Sequence, residues 1–148
     1  MSSHPPGLAK ARGKARRLAM QAIYQWQMTG DDVAVIAAQH IEDNDMQAID
    51  GDYFRELLSG VAGSVSTLDP LLEKRMTRTV DSVDPVERAI IRLACYEFVN
   101  RLDVPYKVVI NEAVMLAKKF CAENSHAFIN GVLDKVAHDI RKNETAPA

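Results

Sequence analysis

Apolar residues recur along almost the whole chain at intervals of three and four, and nowhere do they alternate over the length of a strand. That period belongs to helices with one buried face, so the pattern predicts an all-α protein. Between Leu8 and Thr29 the positions Ala15, Leu18, Ala19, Ala22, Ile23 and Trp26 fall on one stripe, and Gly30 stops the helix as a C-terminal glycine does. A second helix is expected from Asp32 to Asp43, its acidic start suited to the helix dipole, with a polar loop over Asn44–Gly51. Asp52 is the expected cap of a third helix through Phe54, Leu57, Leu58, Val61 and Val65, and a shorter fourth follows from Thr67 to Met76.

The second half opens on a sharper signal. In Asp84-Pro85-Val86-Glu87 the aspartate stands at the cap, the proline where its missing N–H costs nothing, and the glutamate where it completes a capping box. This fifth helix is expected to run to Leu102, where Asp103-Val104-Pro105 breaks the chain. The sixth helix carries one apolar row of Val109, Ala113, Leu116, Ala117 and Phe120, widened by Ile110, Val114 and Cys121, and is expected to be central. Ser125 is the expected cap of the seventh, whose inward positions are Ile129, Val132, Leu133, Val136, Ala137 and Ile140. About seven helices with short connections predict two stacked helical bundles within a single domain. The N-terminal half covers 8–80 and the C-terminal half 84–142, with 1–7 and 143–148 flexible.

Composition narrows the function. The chain of 148 residues is 47% hydrophobic and 26% charged, a globular balance. Its longest apolar run, Val33–Ala38, is far short of the ~20 residues of a membrane span. The apolar run after the basic start ends at Gln21, so no secretion signal forms and a cytoplasmic protein with no membrane partner is expected. Cys95 and Cys121 read as free, buried thiols of a reducing compartment. His4, His40, His126 and His138 lack zinc-site spacing, and no phosphate-binding glycine loop is present, so no metal, cofactor or catalytic site is expected.

Charge changes the picture. A net charge of −2 argues against a general nucleic-acid binder, but residues 1–30 carry +5, residues 31–69 carry −8 and residues 70–148 carry +1. On the first helix Lys10, Lys14, Arg17, Gln21, Tyr24 and Met28 fall within about 40° of one line, while Arg12 and Arg16 lie on the opposite flank of the apolar face. Cations for phosphates and a planar ring for stacking are what single-stranded RNA requires. The competing reading is an ordinary solvated face. A transit peptide is opposed by Trp26, because the basic segment runs into a core stripe without a break. Asn111 and Asn130, beside apolar faces, read as structural amides, and Gly131 as a point of close helix approach. Phe128, one step off its core row, is a candidate interface residue.

Five blocks carry a resemblance: Ala19–Gln27 (AMQAIYQWQ), Tyr53–Val61 (YFRELLSGV), Val86–Glu97 (VERAIIRLACYE), DVPYKVVINEAVMLAKKF and NSHAFINGVLDK. Over nearly its whole length the chain resembles the NusB family of bacterial transcription antitermination factors. The resemblance implies an all-helical fold in two halves and binding of single-stranded boxA RNA, part of the ribosomal leader transcript, together with the ribosomal protein NusE. It also implies a place in the RNA polymerase antitermination complex with other Nus factors. RNA contact is implied for Arg12, Lys14, Arg16 and Arg17, which Lys10 and Gln21 join from the helical line. Tyr24 matches a tyrosine near both RNA and NusE, and Glu87 and Phe128 match the partner-facing side. Two positions depart from the family pattern. Gly13 interrupts an arginine run, and Asn124 stands where aspartate is common, which removes a negative charge beside the RNA surface and adds Asn124 to the RNA set. NusB-like domains also occur fused to ribosomal RNA methyltransferases, but 148 residues leave no room for a cofactor domain, so an enzyme is not expected. A protein-only docking module is the alternative, and a homodimer of the free protein stays open.

Overall fold

Seven α-helices form among residues 7–146, the part that the computed structural model describes, and no strand forms there. They are α1 (Leu8–Thr29), α2 (Val33–Asp43), α3 (Gly51–Glu73), α4 (Pro85–Asn100), α5 (Tyr106–Phe120), α6 (Ser125–Ile140) and α7 (Lys142–Thr145). His4 and the outer parts of both expected flexible ends, 1–6 and 147–148, lie outside the described residues. Gly30 closes α1 at φ 69°, a left-handed conformation that costs glycine nothing, and its N–H reaches the Trp26 carbonyl at 2.9 Å. Asp84 caps α4 by accepting from the N–H groups of Val86 (3.0 Å) and Glu87 (3.4 Å).

The count of seven is reached differently from the expectation. The third and fourth expected helices are both present, joined end to end as α3 across a non-helical kink at Ser64 (φ −135°, ψ 19°), whose hydroxyl donates to the Gly60 carbonyl. Its cap is Asp50, which accepts from the Tyr53 N–H at 3.0 Å, whereas Asp52 lies in the first turn and faces Arg55 in solvent. The seventh helix comes from the tail, which does not fray at Lys142. Arg141 is buried and donates to the carbonyls of Phe98 (2.8 Å), Val104 (2.9 Å), Arg101 (2.9 Å) and Glu97 (3.1 Å), closing the end of α4. Glu144 in turn accepts from Arg141 and from the Tyr106 N–H (3.0 Å) at the start of α5. That N–H bond leads the causes that hold its carboxyl below the usual range.

α4, not α5, is the central helix: it packs against α1, α3, α5 and α6. Ala89, Ile90, Ile91, Leu93, Ala94, Cys95 and Phe98 are all buried on it, within one core that draws on α1 to α6. α5 buries a single face and leaves Val108, Asn111, Met115 and Lys118 exposed. Asn111 and Asn130 are both exposed, so water meets their amides and they are not structural links. Gly131 faces open space. The close approach occurs at Gly60, where a Cβ would overlap the Tyr96 ring. Both cysteines are free; burial pushes the Cys95 thiol up to about 12, and Cys121 is only half-buried.

Candidate nucleic-acid interface

The core holds α1 by Ala15, Leu18, Ala19, Ala22 and Ile23, and this fixes which residues turn outward. Lys10, Lys14, Arg17 and Met28 are exposed, Tyr24 is 38% exposed, and Gln21 is half-buried between them. A second helix adds to this row. The Arg17 guanidinium lies 5.2 Å from the centre of the Phe120 ring, and the Lys119 ammonium 5.9 Å from the same ring. The basic last turn of α5, Lys118 and Lys119, therefore abuts the cationic row of α1. On the other side Asn44 and Ile49 line a depression of about 380 Å³ with Lys14, Arg17 and Gln21.

Arg12 and Arg16 turn the other way. Arg16 is 3% exposed, and its Nε donates to both Glu97 oxygens (2.9 and 3.1 Å) while Nη2 adds a third bond at 3.0 Å. Glu97, 1% exposed, also accepts from the Tyr53 hydroxyl, and Glu112 lies 3.4 Å from Arg16 Nη1. Burial works against the Arg16 charge, but the hydrogen bonds and charge of Glu97 outweigh it and raise its pKa. Burial, then the Glu97 carboxylate, raises the Tyr53 phenol. The expectation of RNA contact for Arg16 is thus corrected: its guanidinium is spent on a buried carboxylate. Arg12 is half-buried over the Tyr53 ring (4.7 Å), 3.5 Å from Asp103 and 3.9 Å from Asp50. Among the four positions matched to the arginine-rich start, Lys14 and Arg17 face solvent, whereas Arg12 and Arg16 face carboxylates.

The residues matched to the partner side gather at one end of the bundle. Gln27 Nε2 donates to the Pro85 carbonyl (2.9 Å), which ties the end of α1, and Tyr24 one turn back, to the start of α4. Glu87 accepts from the Ser125 hydroxyl (2.8 Å) and so joins α4 to the start of α6. Two expectations change with that bond. Glu87 does not close the capping box, and Ser125 does not cap α6; the cap position is Asn124, exposed and left-handed at φ 78°. Phe128, one turn beyond Ser125, is half-buried under the Arg78 guanidinium at 5.2 Å. Cys121 sits near enough to Glu87 and Asp84 that burial first, then those charges, push its thiol up to about 11. One band therefore runs from Arg17 across Phe120 and Cys121 to Glu87, Ser125 and Phe128.

Sequence reasoning missed Lys118, Lys119, Phe120, Ser125 and Arg78 as members of this band. The doublet Lys118-Lys119 beside an aromatic was a usable signal, but a helical line drawn on α1 alone excludes it. Arg78 gave no signal, because it comes from the α3–α4 connection. Among the described residues no group of three or more His, Cys, Asp or Glu side chains could hold a metal ion, and no helix is long and apolar enough to cross a membrane.

Comparison with known proteins agrees with the all-helical fold. The "Transcription antitermination protein NusB" of Saccharophagus degradans is 58% identical over 137 residues, 92% of this chain and 91% of that protein. The protein of the same name in Teredinibacter turnerae is 56% identical, over 92% of this chain and 93% of its own. Among solved structures, T. maritima NusB superposes with a TM-score of 0.80 at 28% identity, over 90% of this chain and 95% of that one. A crystal structure of antitermination factors NusB and NusE in complex with dsRNA matches with a TM-score of 0.77 at 25% identity, over 88% and 98% of the two chains. The sequence pattern of the NusB family covers residues 13–138, from the cationic row on α1 to the last turn of α6, and the chain belongs to that family.

Proposed function

We propose that this NusB-family chain is a non-enzymatic adaptor that holds boxA-type RNA and NusE on the one continuous band described above. Its role is that of its relatives, transcription antitermination. The observation that carries the RNA half is the exposed row of Lys10, Lys14, Arg17 and Tyr24, extended by Lys118 and Lys119. Lysine and arginine neutralise phosphates, and the Tyr24 ring supplies a face for a base at ~1–3 kcal/mol. Gln21 within the row, and Asn124 exposed at the cap position of α6, offer amide hydrogen bonds without negative charge. Arg12 contributes at the edge, and only after loosening its contacts to Asp103 and Asp50. NusE occupies the end where Tyr24, Glu87 and Phe128 gather, so both ligands share Tyr24. The NusB–NusE complex with dsRNA supports the pairing of these two partners in a related protein. We extend the reading to a cytoplasmic antitermination complex with RNA polymerase and other Nus factors, and to two helical halves, 8–80 and 84–142, acting as one domain.

The test is a fluorescence titration of boxA-type and scrambled RNA, single-stranded and duplex, over a range of salt. Log affinity for the boxA single strand should fall with log salt at about −0.7 per phosphate contacted, with roughly three to five phosphates engaged. Lys14→Ala with Arg17→Ala should flatten the slope while the helix content stays unchanged. An unchanged slope sinks the RNA reading and leaves a protein-only docking module. Concentration-dependent weakening of RNA binding would show a homodimer that covers the row.

A further inference from the structure

A wide concavity lies away from the RNA band. A groove of about 920 Å³ runs between α2 and α3, floored by Trp26, Ala37, Ala38, Ile41, Ala62 and Gly63. Its walls are small: a Cβ added at Gly63 would meet nothing within 4 Å, and Ala38 is exposed. α2 buries only Ile36 fully, although seven of its eleven residues are apolar, and Val35 is 52% exposed. An apolar helix that spends so little of its surface on the core offers the rest to something else.

Charge says what that something is. The groove is bounded by Asp32 at the start of α2 and Glu42 at its end, about 15 Å apart along the helix. Around these ends stand Asp31, Asp43 and Asp45, and none of the five makes an ion pair with a described residue. Asp32 and Asp45 cap backbone N–H groups of Ala34 and Gln47, which accounts for them locally. Glu42 and Asp43 have no such account. They sit in the last turn of α2, where carboxylates oppose the helix dipole, and Asp43 meets only the half-buried His40. Arg55 is the single cation lining the groove, and it is already drawn to Asp52 at 3.8 Å.

We infer that this groove is a docking site for a basic amphipathic helix of another protein. Aliphatic residues one turn apart fill the channel over Trp26, Ala37 and Ala62, and lysines or arginines at its two ends meet the carboxylates at the ends of α2. Close approach is possible because the walls are alanine and glycine. Trp26 lies about 160° round α1 from Lys10, so the groove and the cationic row open on opposite sides of that helix. RNA and such a helix can therefore be held at the same time, and an RNA-bound chain presents a further attachment point.

Trp26 is the only tryptophan, so its emission reports this groove directly. The probe is a synthetic helix of about fourteen residues, free of tryptophan and tyrosine, with leucines one turn apart and lysines at both ends. A scrambled peptide of the same composition and one with glutamates for lysines are the controls. Titrated into the full chain, the basic amphipathic peptide should shift Trp26 emission and bind at least tenfold more tightly than either control. Ala38→Arg, at an exposed position that fills the channel with like charge for the peptide, should abolish the shift while circular dichroism stays unchanged, and Glu42→Lys should weaken binding several-fold. Equal responses to the ordered and scrambled peptides overturn the inference, as does an undiminished response in Ala38→Arg. Self-association that Ala38→Arg abolishes also overturns it, since the occupant would then be a second copy of this chain.

Discussion

Arg16 and Arg17 are neighbours of identical chemistry with opposite surroundings, and replacing each with methionine should separate fold from function. In Arg16→Met the apolar stem is kept, but Glu97, 1% exposed, loses three hydrogen bonds and keeps the Tyr53 hydroxyl as a donor. Removing one partner of a buried ion pair costs about 3–5 kcal/mol, because the other charge stays buried without compensation. For a domain near this size each kcal/mol lowers the melting temperature by about 2–4 °C, so a drop on the order of 10 °C is expected. Arg16→Met with Glu97→Met removes both charges of the buried pair, leaves the Tyr53 hydroxyl unpaired at a cost of about 1–3 kcal/mol, and releases Glu112, which water reaches. The double variant should therefore be more stable than Arg16→Met alone, with a coupling of ~2 kcal/mol or more in the thermodynamic cycle. Arg17→Met changes an exposed residue and should leave stability within about 0.5 kcal/mol, while the salt slope of RNA binding drops by about 0.7. Calorimetric melting and the salt titration read the two effects independently. An Arg16→Met protein that melts with the wild type, or that stays folded and loses salt slope as Arg17→Met does, would refute the division of the arginines.

Three further outcomes follow from particular contacts. Arg141→Ala deprives the buried end of α4 of its donor, leaving the Phe98 and Val104 carbonyls unmatched at about 1–3 kcal/mol each, so the urea midpoint should fall clearly; a wild-type midpoint contradicts the capping role. Burial holds the His40 imidazole below its ordinary pKa, with Asp43 acting weakly against it. The neutral ring therefore stabilises the fold above the unfolded value of about 6.5, and that stability is lost as pH falls through the folded value. Wild type should lose more stability than His40→Gln between about pH 7.5 and 5.5, and parallel curves would show that His40 is not responsible. Glu87→Lys with Phe128→Ala should weaken NusE binding at least tenfold in calorimetry; retained affinity removes the end of the bundle from the partner surface.

The periodicity of α1 and the Asp84-Pro85 start were legible because both depend on neighbours within one turn, and the structure has both. What failed to show depends on partners far along the chain. Asp50 and Asp52 are equally good caps by type, and only the path of the Met46–Ala48 turn decides for Asp50. The tail reads as a fraying end because nothing near Arg141 in sequence reveals four carbonyls more than 35 positions earlier. In the site, the exposed row on α1 could be drawn from the 100° turn per residue alone. Its continuation onto Lys119 and Phe120 required the packing of α5 on α4, which brings the Phe120 ring to Arg17, and the loss of Arg16 required Glu97, 81 positions away.

That buried pair gives α1 a fixed roll. Leu18, Met20 and Ile23 anchor α1 in the core and resist a rotation about its axis, whereas Ala15, Ala19 and Ala22 fill little volume and resist it less. The Arg16–Glu97 bond cannot follow such a rotation: its three contacts of 2.9 to 3.1 Å demand one orientation, and Arg12, Arg16 and Arg101 around the Tyr53 ring at 4.7 to 5.4 Å hold the same edge. Arg17 lies about 100° and Lys14 about 160° round the helix from Arg16, so the angle that buries Arg16 turns both outward and sets Arg17 over the Phe120 ring. Buried charge is a costly way to gain stability but an effective way to exclude alternative registers. In this chain it sets the face on which α1 offers its free cations, and with them the direction from which a polyanion can approach.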